Sequence, residues 1–178
     1  MGLEKELNSA FESLNISKEQ QSKLKHYLNL IIEKDKSIKE EYKKLYPHSL
    51  AVGLKMMDKV EDKKAGLYCG ILHDIGKLFI EDEILKKDDF NEKDMEIMKS
   101  HPEYGFLILG DAKFAFSALV SLLHHINQKN SYPLIKNLST IIGSKNPASL
   151  EKAKQYAHIL HEIDAGDARM HRKNNYQE

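Results

Sequence analysis

The chain has 178 residues, enough for one domain with a substantial core. Lysine plus arginine and aspartate plus glutamate balance at 27 each, which argues against a broad nucleic-acid footprint but leaves room for a local basic patch at a phosphate site. No apolar run reaches the length of a membrane span, residues 1–12 are too polar for a signal peptide, and a single cysteine, Cys69, excludes a disulfide framework. The expectation is a soluble, cytoplasmic protein with no membrane partner. Tryptophan is absent and glycine and proline are few, so the composition favours an all-helical domain.

Leu3, Leu7, Ala10, Phe11 and Leu14 recur at helical spacing, and Asn15 ends that stretch. Ser17-Lys18-Glu19-Gln20 reads as a capping box opening a second helix through Leu24, Leu28 and Ile31 toward Tyr42 and Leu45. Residues 1–45 carry no evident chemistry and read as a helical extension packed on or flanking a core. Pro47 starts the next predicted helix, with His48 in its first turn and Val52, Met56 and Val60 behind it.

The apolar run from Leu67 leads into His73-Asp74-Ile75-Gly76-Lys77. At about 100° per residue, His73, Asp74 and Lys77 share a helical face with Gly66 and Gly70, which predicts a polar recess flanked by core. Such groups need partners when buried, and a metal ion suits a histidine beside an aspartate; the plainer alternative is a polar helix end capped by Gly76. Residues 80–85 read as a connector with one helical turn. Asn91 behind Phe90 is a predicted N-cap, and Ser100-His101-Pro102-Glu103 a second capping box that holds His101 partly exposed at a helix start. Residues 112–126 are apolar at helical spacing, with His124 and His125 in the last turn, where the two imidazoles can serve neighbouring metals or interact with the helix dipole. Leu134 to Ile142 reads as a short helix. Ser149 is the predicted cap of a last helix whose stripe of Leu150, Ala153, Ala157 and Leu160 continues into Asp164, with Asp167 beside it. A core-facing carboxylate is uncommon without a counter-charge. His158, His161 and His171 read as surface residues.

Taken in order, His48, His73-Asp74, His101, His124-His125 and Asp164 resemble the HD superfamily of metal-dependent phosphohydrolases, and more narrowly its HD-GYP branch. His48-Ser49, the stretch from His73 through Ile84-Leu85, Met98-Lys99-Ser100-His101-Pro102-Glu103-Tyr104-Gly105 and Asp164-Ala165-Gly166-Asp167-Ala168 all match that branch. The resemblance implies an all-α HD-type helical bundle with a central metal cleft over residues 46–170, followed by a tail at 171–178. It implies two divalent transition-metal ions, Fe or Mn by family precedent, with Zn or Ni also suited to imidazole-rich sites. Asp74 is the expected bridging ligand; His48, His73 and Asp164 complete one site, and His101, His124 and His125 the other. Together they activate a hydroxide that hydrolyses a small phosphorylated, nucleotide-like substrate. Lys77 is expected to bind a phosphate oxygen or protonate the leaving group, with Lys129 and Tyr132 as substrate contacts.

Two departures from the branch bear on substrate. The loop after His124-His125 reads Ser131-Tyr132-Pro133 and holds no glycine between Ile126 and Pro133, so cyclic di-GMP, the branch's best-known substrate, is expected to be a poor one. Lys44 stands four residues before His48, where some members carry a glutamate for a third metal. The same ligand list also serves HD-type di-iron oxygenases, and the fold also occurs as a non-catalytic signalling module. A homodimer is compatible with the sequence.

Overall fold

The protein, seen here as a computed structural model, is described for residues 2–39, 43–110, 113–133 and 147–168, together with the backbone of 169–171. The described residues form helices and no strand: α1 (Leu3–Ser13), α2 (Lys18–Asp35), α3 (Leu45–Met57), α4 (Lys63–Leu72), a 3-10 helix (Ile75–Phe79), α5 (Asp82–Leu85), α6 (Glu92–Met98), α7 (His101–Leu109), α8 (Ala115–Leu123) and α9 (Pro147–His171). Tyr42, the predicted helix at 134–142 and the tail at 172–178 lie outside the described residues.

The sequence sets most of the boundaries locally. Asn15 takes a positive φ of 50° and stops α1. Ser17 accepts from Gln20 N and opens α2, and Asn91 with Asp94 forms a full capping box on α6. Several boundaries differ from expectation. The second helix ends at Asp35 instead of running to Leu45, because the Asp35 carboxylate serves the start of the next helix: it accepts from Leu45 N at 2.8 Å and Tyr46 N at 2.7 Å. That cap draws the first turn of α3 back two residues, so Pro47 lies inside it. Ser149 is likewise inside α9, which already begins at Pro147. Ser100 stands at the start of α7 but caps nothing; its Oγ donates to Ile97 O at 2.6 Å, so α6 runs almost directly into α7.

α1 and α2 share one apolar core with α3, α4 and the start of α8, built on Leu7, Phe11, Leu24, Ile31, Leu50, Ile71 and Phe114. A second core joins α3, α4, α8 and α9 through Val52, Met56, Cys69, Leu122, Ala157 and Leu160. At the heart of both, α3 and α4 run antiparallel in very close contact. A Cβ on Gly70 would lie 2.6 Å from Gly53 Cα and 2.8 Å from Val52 O, both backbone atoms that cannot yield. The glycines thus serve helix packing, and the recess expected along the Gly66–Gly70 face does not exist.

Nor do His73, Asp74 and Lys77 share one regular helix. α4 stops at Leu72, and the Ser121 hydroxyl donates to the His73 carbonyl at 2.7 Å, occupying the oxygen that a continuing helix would offer to Lys77. Lys77 N bonds Asp74 O instead, at 2.9 Å, and the chain tightens into the 3-10 helix. Gly76 docks that helix on α7. A Cβ there would fall inside contact distance of the His101 carbonyl oxygen and 2.6 Å from Gly105 N.

Candidate metal centre

Three histidines reach the centre by the same device. His73 follows the last residue of α4, His124 the last residue of α8, and His101 begins α7 just beyond α6. In each, Nδ1 meets the carbonyl three residues earlier: Gly70 O at 2.7 Å, Met98 O at 2.7 Å and Ser121 O at 2.5 Å. Those carbonyls belong to the last turns of α4, α6 and α8 and have no partner within their helices. A carbonyl only accepts, so each imidazole carries a proton on Nδ1 and turns Nε2 inward. The negative ends of three helix dipoles converge on the same point, which favours a cation.

Asp74 lies among these nitrogens. Its Oδ1 is 3.3 Å from His101 Nε2 and 3.7 Å from His124 Nε2. Its Oδ2 faces the other way, 3.5 Å from His73 Nε2, 3.9 Å from His48 Nε2 and 2.5 Å from Lys77 Nζ. On that second side Asp164 Oδ1 is 3.1 Å from His48 Nε2 and 3.8 Å from His73 Nε2. The donors form two groups, Asp74-His101-His124-His125 and His48-His73-Asp164, and within each the candidate ligand atoms all lie within 4.8 Å of one another. All seven residues named from the sequence come together, and Lys77 with them. His101 is fully buried at 1 % exposure, not partly exposed as expected at a helix start, because α6, α7 and the 3-10 helix enclose it.

These residues fit a metal ion on their own chemistry. His48 Nε2 and His73 Nε2 are buried and make no hydrogen bond, despite facing carboxylates. His101 Nε2 and His124 Nε2 face each other at 3.4 Å. Burial pulls His101 down to about 4 and pulls His124 below the ordinary histidine value, so both rings are neutral near pH 7 and two bare lone pairs oppose each other. A shared cation relieves that arrangement. Burial, then the adjoining His124 and His101 rings, hold His125 well below the ordinary histidine value. On the other side burial also opposes charge on His73, but Asp74 and Asp164 outweigh it and raise the ring. Burial works against the charged forms of Asp74 and Asp164 too. Lys77 and His73 nevertheless hold Asp74 well below the carboxylate range, and the facing His48 and His73 rings do the same for Asp164.

The remaining candidates sit at the rim. The Tyr132 ring stacks on His125 with centroids 4.5 Å apart and planes 28° apart, and Lys99 Nζ is 6.0 Å from that ring. Lys129 is exposed on the same loop. Gln128 Nε2 lies 2.5 Å from His125 Nδ1. His158 is exposed, and the His161 side chain is half-buried one turn before Asp164. Sequence reasoning missed Asp167, which bonds His48 Nδ1 at 2.8 Å, and Lys55, which bonds Asp167 at 2.6 Å. The signal for Asp167 was its place one helical turn after Asp164; Lys55, the single lysine of α3, offered none.

Fold and site together define a helical domain built around a buried cluster of histidines and aspartates suited to divalent metal. The family model described as the HD domain matches residues 45–169, and the chain belongs to that family, at family level one of metal-dependent phosphohydrolases. It is also 39 % identical over 67 residues to the cyclic di-GMP phosphodiesterase response regulator RpfG of Xanthomonas campestris pv. campestris (strain 8004). That match covers 35 % of this chain and 18 % of RpfG. No solved structure matches the chain significantly. Among the described residues, no helix is long and apolar enough to cross a membrane.

Proposed function

We propose that residues 46–170, flanked by the α1–α2 extension, hold two divalent transition-metal ions and hydrolyse a phosphate ester of a small, nucleotide-like substrate. The observation that carries this reading is the placement of Asp74, whose two oxygens address different groups of donors. His101, His124 and His125 would complete one ligand set and His48, His73 and Asp164 the other. When bound, such a pair of ions supplies Lewis acidity to the phosphoryl oxygens and lowers the pKa of an attacking water. Lys77, paired with Asp74 and almost buried, holds a proton beside the reacting phosphate and neutralises one of its oxygens or the leaving group. Asp164, with its side chain 16 % exposed, marks the side from which substrate enters. Tyr132, Lys129 and Lys99 line the rim on the His125 side. The partial likeness to RpfG supports a phosphodiester as substrate class, whereas the glycine-free Ile126–Pro133 loop disfavours the bulk of cyclic di-GMP itself.

The test is elemental analysis after reconstitution with Mn²⁺ or Fe²⁺, followed by kcat/KM for linear dinucleotides, mononucleotides, aryl phosphates and cyclic di-GMP. Close to two ions per chain and a preference for the slimmer esters are expected. Cyclic di-GMP preferred by more than about tenfold, some 1.4 kcal/mol at the transition state, would reverse the substrate assignment. A single ion insensitive to changes at His101 or His124 would reduce the centre to a mononuclear one.

A further inference from the structure

His48 differs from the other histidines of the centre in what its outer nitrogen touches. Nδ1 of His73, His101 and His124 meets a main-chain carbonyl and that of His125 meets an amide, but Nδ1 of His48 lies 2.8 Å from Asp167 Oδ2. Asp167 is 1 % exposed and stands one turn beyond Asp164 on α9. Its other oxygen, Oδ1, accepts from Lys55 Nζ at 2.6 Å. Lys55 lies two turns after His48 on α3, and its side chain is 46 % exposed. His48 and Lys55 thus meet different oxygens of the one carboxylate.

We propose that Asp167 is a positioning residue for the centre and that Lys55, by claiming Oδ1, dictates how Asp167 addresses His48: the Lys55–Asp167–His48 line keeps the His48 proton on Nδ1 and its Nε2 lone pair toward Asp164 and Asp74. This rests on the metal-centre reading above. A charge-assisted bond also makes the His48 ring a stronger donor than rings bonded to carbonyls. The ion of the His48–His73–Asp164 group depends on this line, and the other ion does not.

A simpler role exists for the same contacts, as an ion pair clamping α9 to α3. The two roles part on replacing Asp167 by asparagine. A lysine ammonium can only donate. In Asp167→Asn the amide must give its oxygen to Lys55 and its NH₂ group to His48 Nδ1. Nδ1 then has to accept, the ring proton moves to Nε2, and the inward lone pair is gone. Adding Lys55→Met frees the amide to turn over. Its oxygen then accepts from Nδ1, and the original tautomer returns. A second substitution repairs the first, whereas a clamp would only be weakened further.

The experiment reads two quantities in the full chain. Nitrogen NMR of metal-free, ¹⁵N-histidine-labelled protein gives the His48 tautomer, and Co²⁺ titration against a chelating indicator gives the affinity of each ion. Wild type is expected to show Nδ1–H and two ions. Asp167→Asn is expected to show Nε2–H, with one ion weakened by roughly 10–100-fold and the other unchanged. The Lys55→Met/Asp167→Asn double variant is expected to restore both the tautomer and the weakened ion. The proposal is overturned if Asp167→Asn keeps Nδ1–H, weakens both ions equally or leaves both intact, or if the double variant is no better than the single one. Should the single variant not fold, the double variant decides alone, and an Nε2–H ring there overturns the proposal. A wild type that binds no Co²⁺ defeats the metal-centre reading instead, and the tautomers still report on the Lys55–Asp167–His48 line.

Discussion

The two halves of the centre are built on different principles. The His101–His124–His125 side is a product of chain ends: its rings stand where helices stop or start, and His101 and His124 are held by backbone carbonyls. Among the described residues, its only carboxylate is the shared Asp74. The His48–Asp164 side rests more on helix faces: His48 projects from α3 and Asp164 from α9, a second carboxylate, Asp167, supports them from behind, and only His73 stands at a helix end on a backbone carbonyl. The difference shows in the electrostatics. Burial dominates on the first side and drives the histidines down, whereas carboxylates dominate on the second and raise His73. A metal site can be fixed by helix ends or by side-chain networks, and this protein uses the first on one side and both on the other.

Asp74 belongs to both halves, so changing it is expected to have the largest effect. Asp74→Asn removes the one charge that both donor groups share and strands Lys77 beside it. Both ions are expected to be lost together in elemental analysis. The metal-free variant is expected to unfold with a stability lower by about 3–5 kcal/mol, the usual consequence of breaking a buried pair from one side. His125→Gln, by contrast, is expected to affect the first half alone. Retention of one tightly bound ion in Asp74→Asn would show that the halves do not share this residue.

Next in size is Gly76→Ala, which strikes only the side made of chain ends. The new methyl group meets the His101 carbonyl and the Gly105 nitrogen, both backbone. The 3-10 helix and α7 have to separate, and Asp74 moves from His101. A loss of roughly 3 kcal/mol in urea unfolding is expected, the upper range for overpacking, together with loss of the ion on the His101 side. A stability loss below about 1 kcal/mol would mean that this contact can relax.

Acid titration of the metal-free protein separates the halves more gently. His101, brought down to about 4 from an ordinary 6.5, binds fewer protons folded than unfolded between those values. His124 and His125 act in the same direction, so this side loses stability as pH falls from about 6.5 toward 4. His73 is raised, so its contribution is complete below 6.5 and is lost as pH rises through its folded value. Below about 4 the depressed aspartates take over, among them Asp167 at about 2, where bonds from His48 and Lys55 outweigh burial. In urea midpoints measured with a chelator present, His101→Asn is expected to flatten the limb between 4 and 6.5, and His73→Asn to flatten the decline above it. Identical slopes for the two variants would erase the electrostatic distinction.

These contrasts were unequally visible in the sequence. The all-helical fold and the helix caps at Ser17 and Asn91 follow from residue type and spacing, which are local signals, whereas the seven donors became one set only through the resemblance of their order to the HD family. The stretch around His73 was misread in shape, because a period of 3.6 residues does not announce that a serine hydroxyl from α8 will end α4 there. Gly66 and Gly70 looked like a hollow, when they are the surface on which α3 and α4 meet. Asp167, Lys55 and Asp35 act on partners distant in sequence or across a turn, and only packing brings those partners near.

Asp35 supplies the smallest expected effect and the finest probe of the side made of helix faces. α3 carries His48 in its first turn, where the Leu45 and Tyr46 N–H groups lack helical partners. Its own N-cap, Lys44, provides no side-chain cap; the Asp35 carboxylate takes the Leu45 and Tyr46 N–H groups instead. Asp35→Ala leaves both buried or half-buried donors without that acceptor. Loss of a charged cap of this kind is worth about 1–2 kcal/mol, expected here as a lower urea midpoint with an unchanged slope. Fraying of the first turn displaces His48 and not His101, so Co²⁺ is expected to bind less tightly at one site only, and by less than in Asp167→Asn because the His48 tautomer survives. Asp35→Asn keeps one accepting oxygen and is expected to fall between wild type and alanine. If Asp35→Ala lowers stability but leaves both ions equally tight, the first turn of α3 is held by the Gly53–Gly70 contact and the Asp167 bond alone, and the extension formed by α1 and α2 supports the fold without reaching the site.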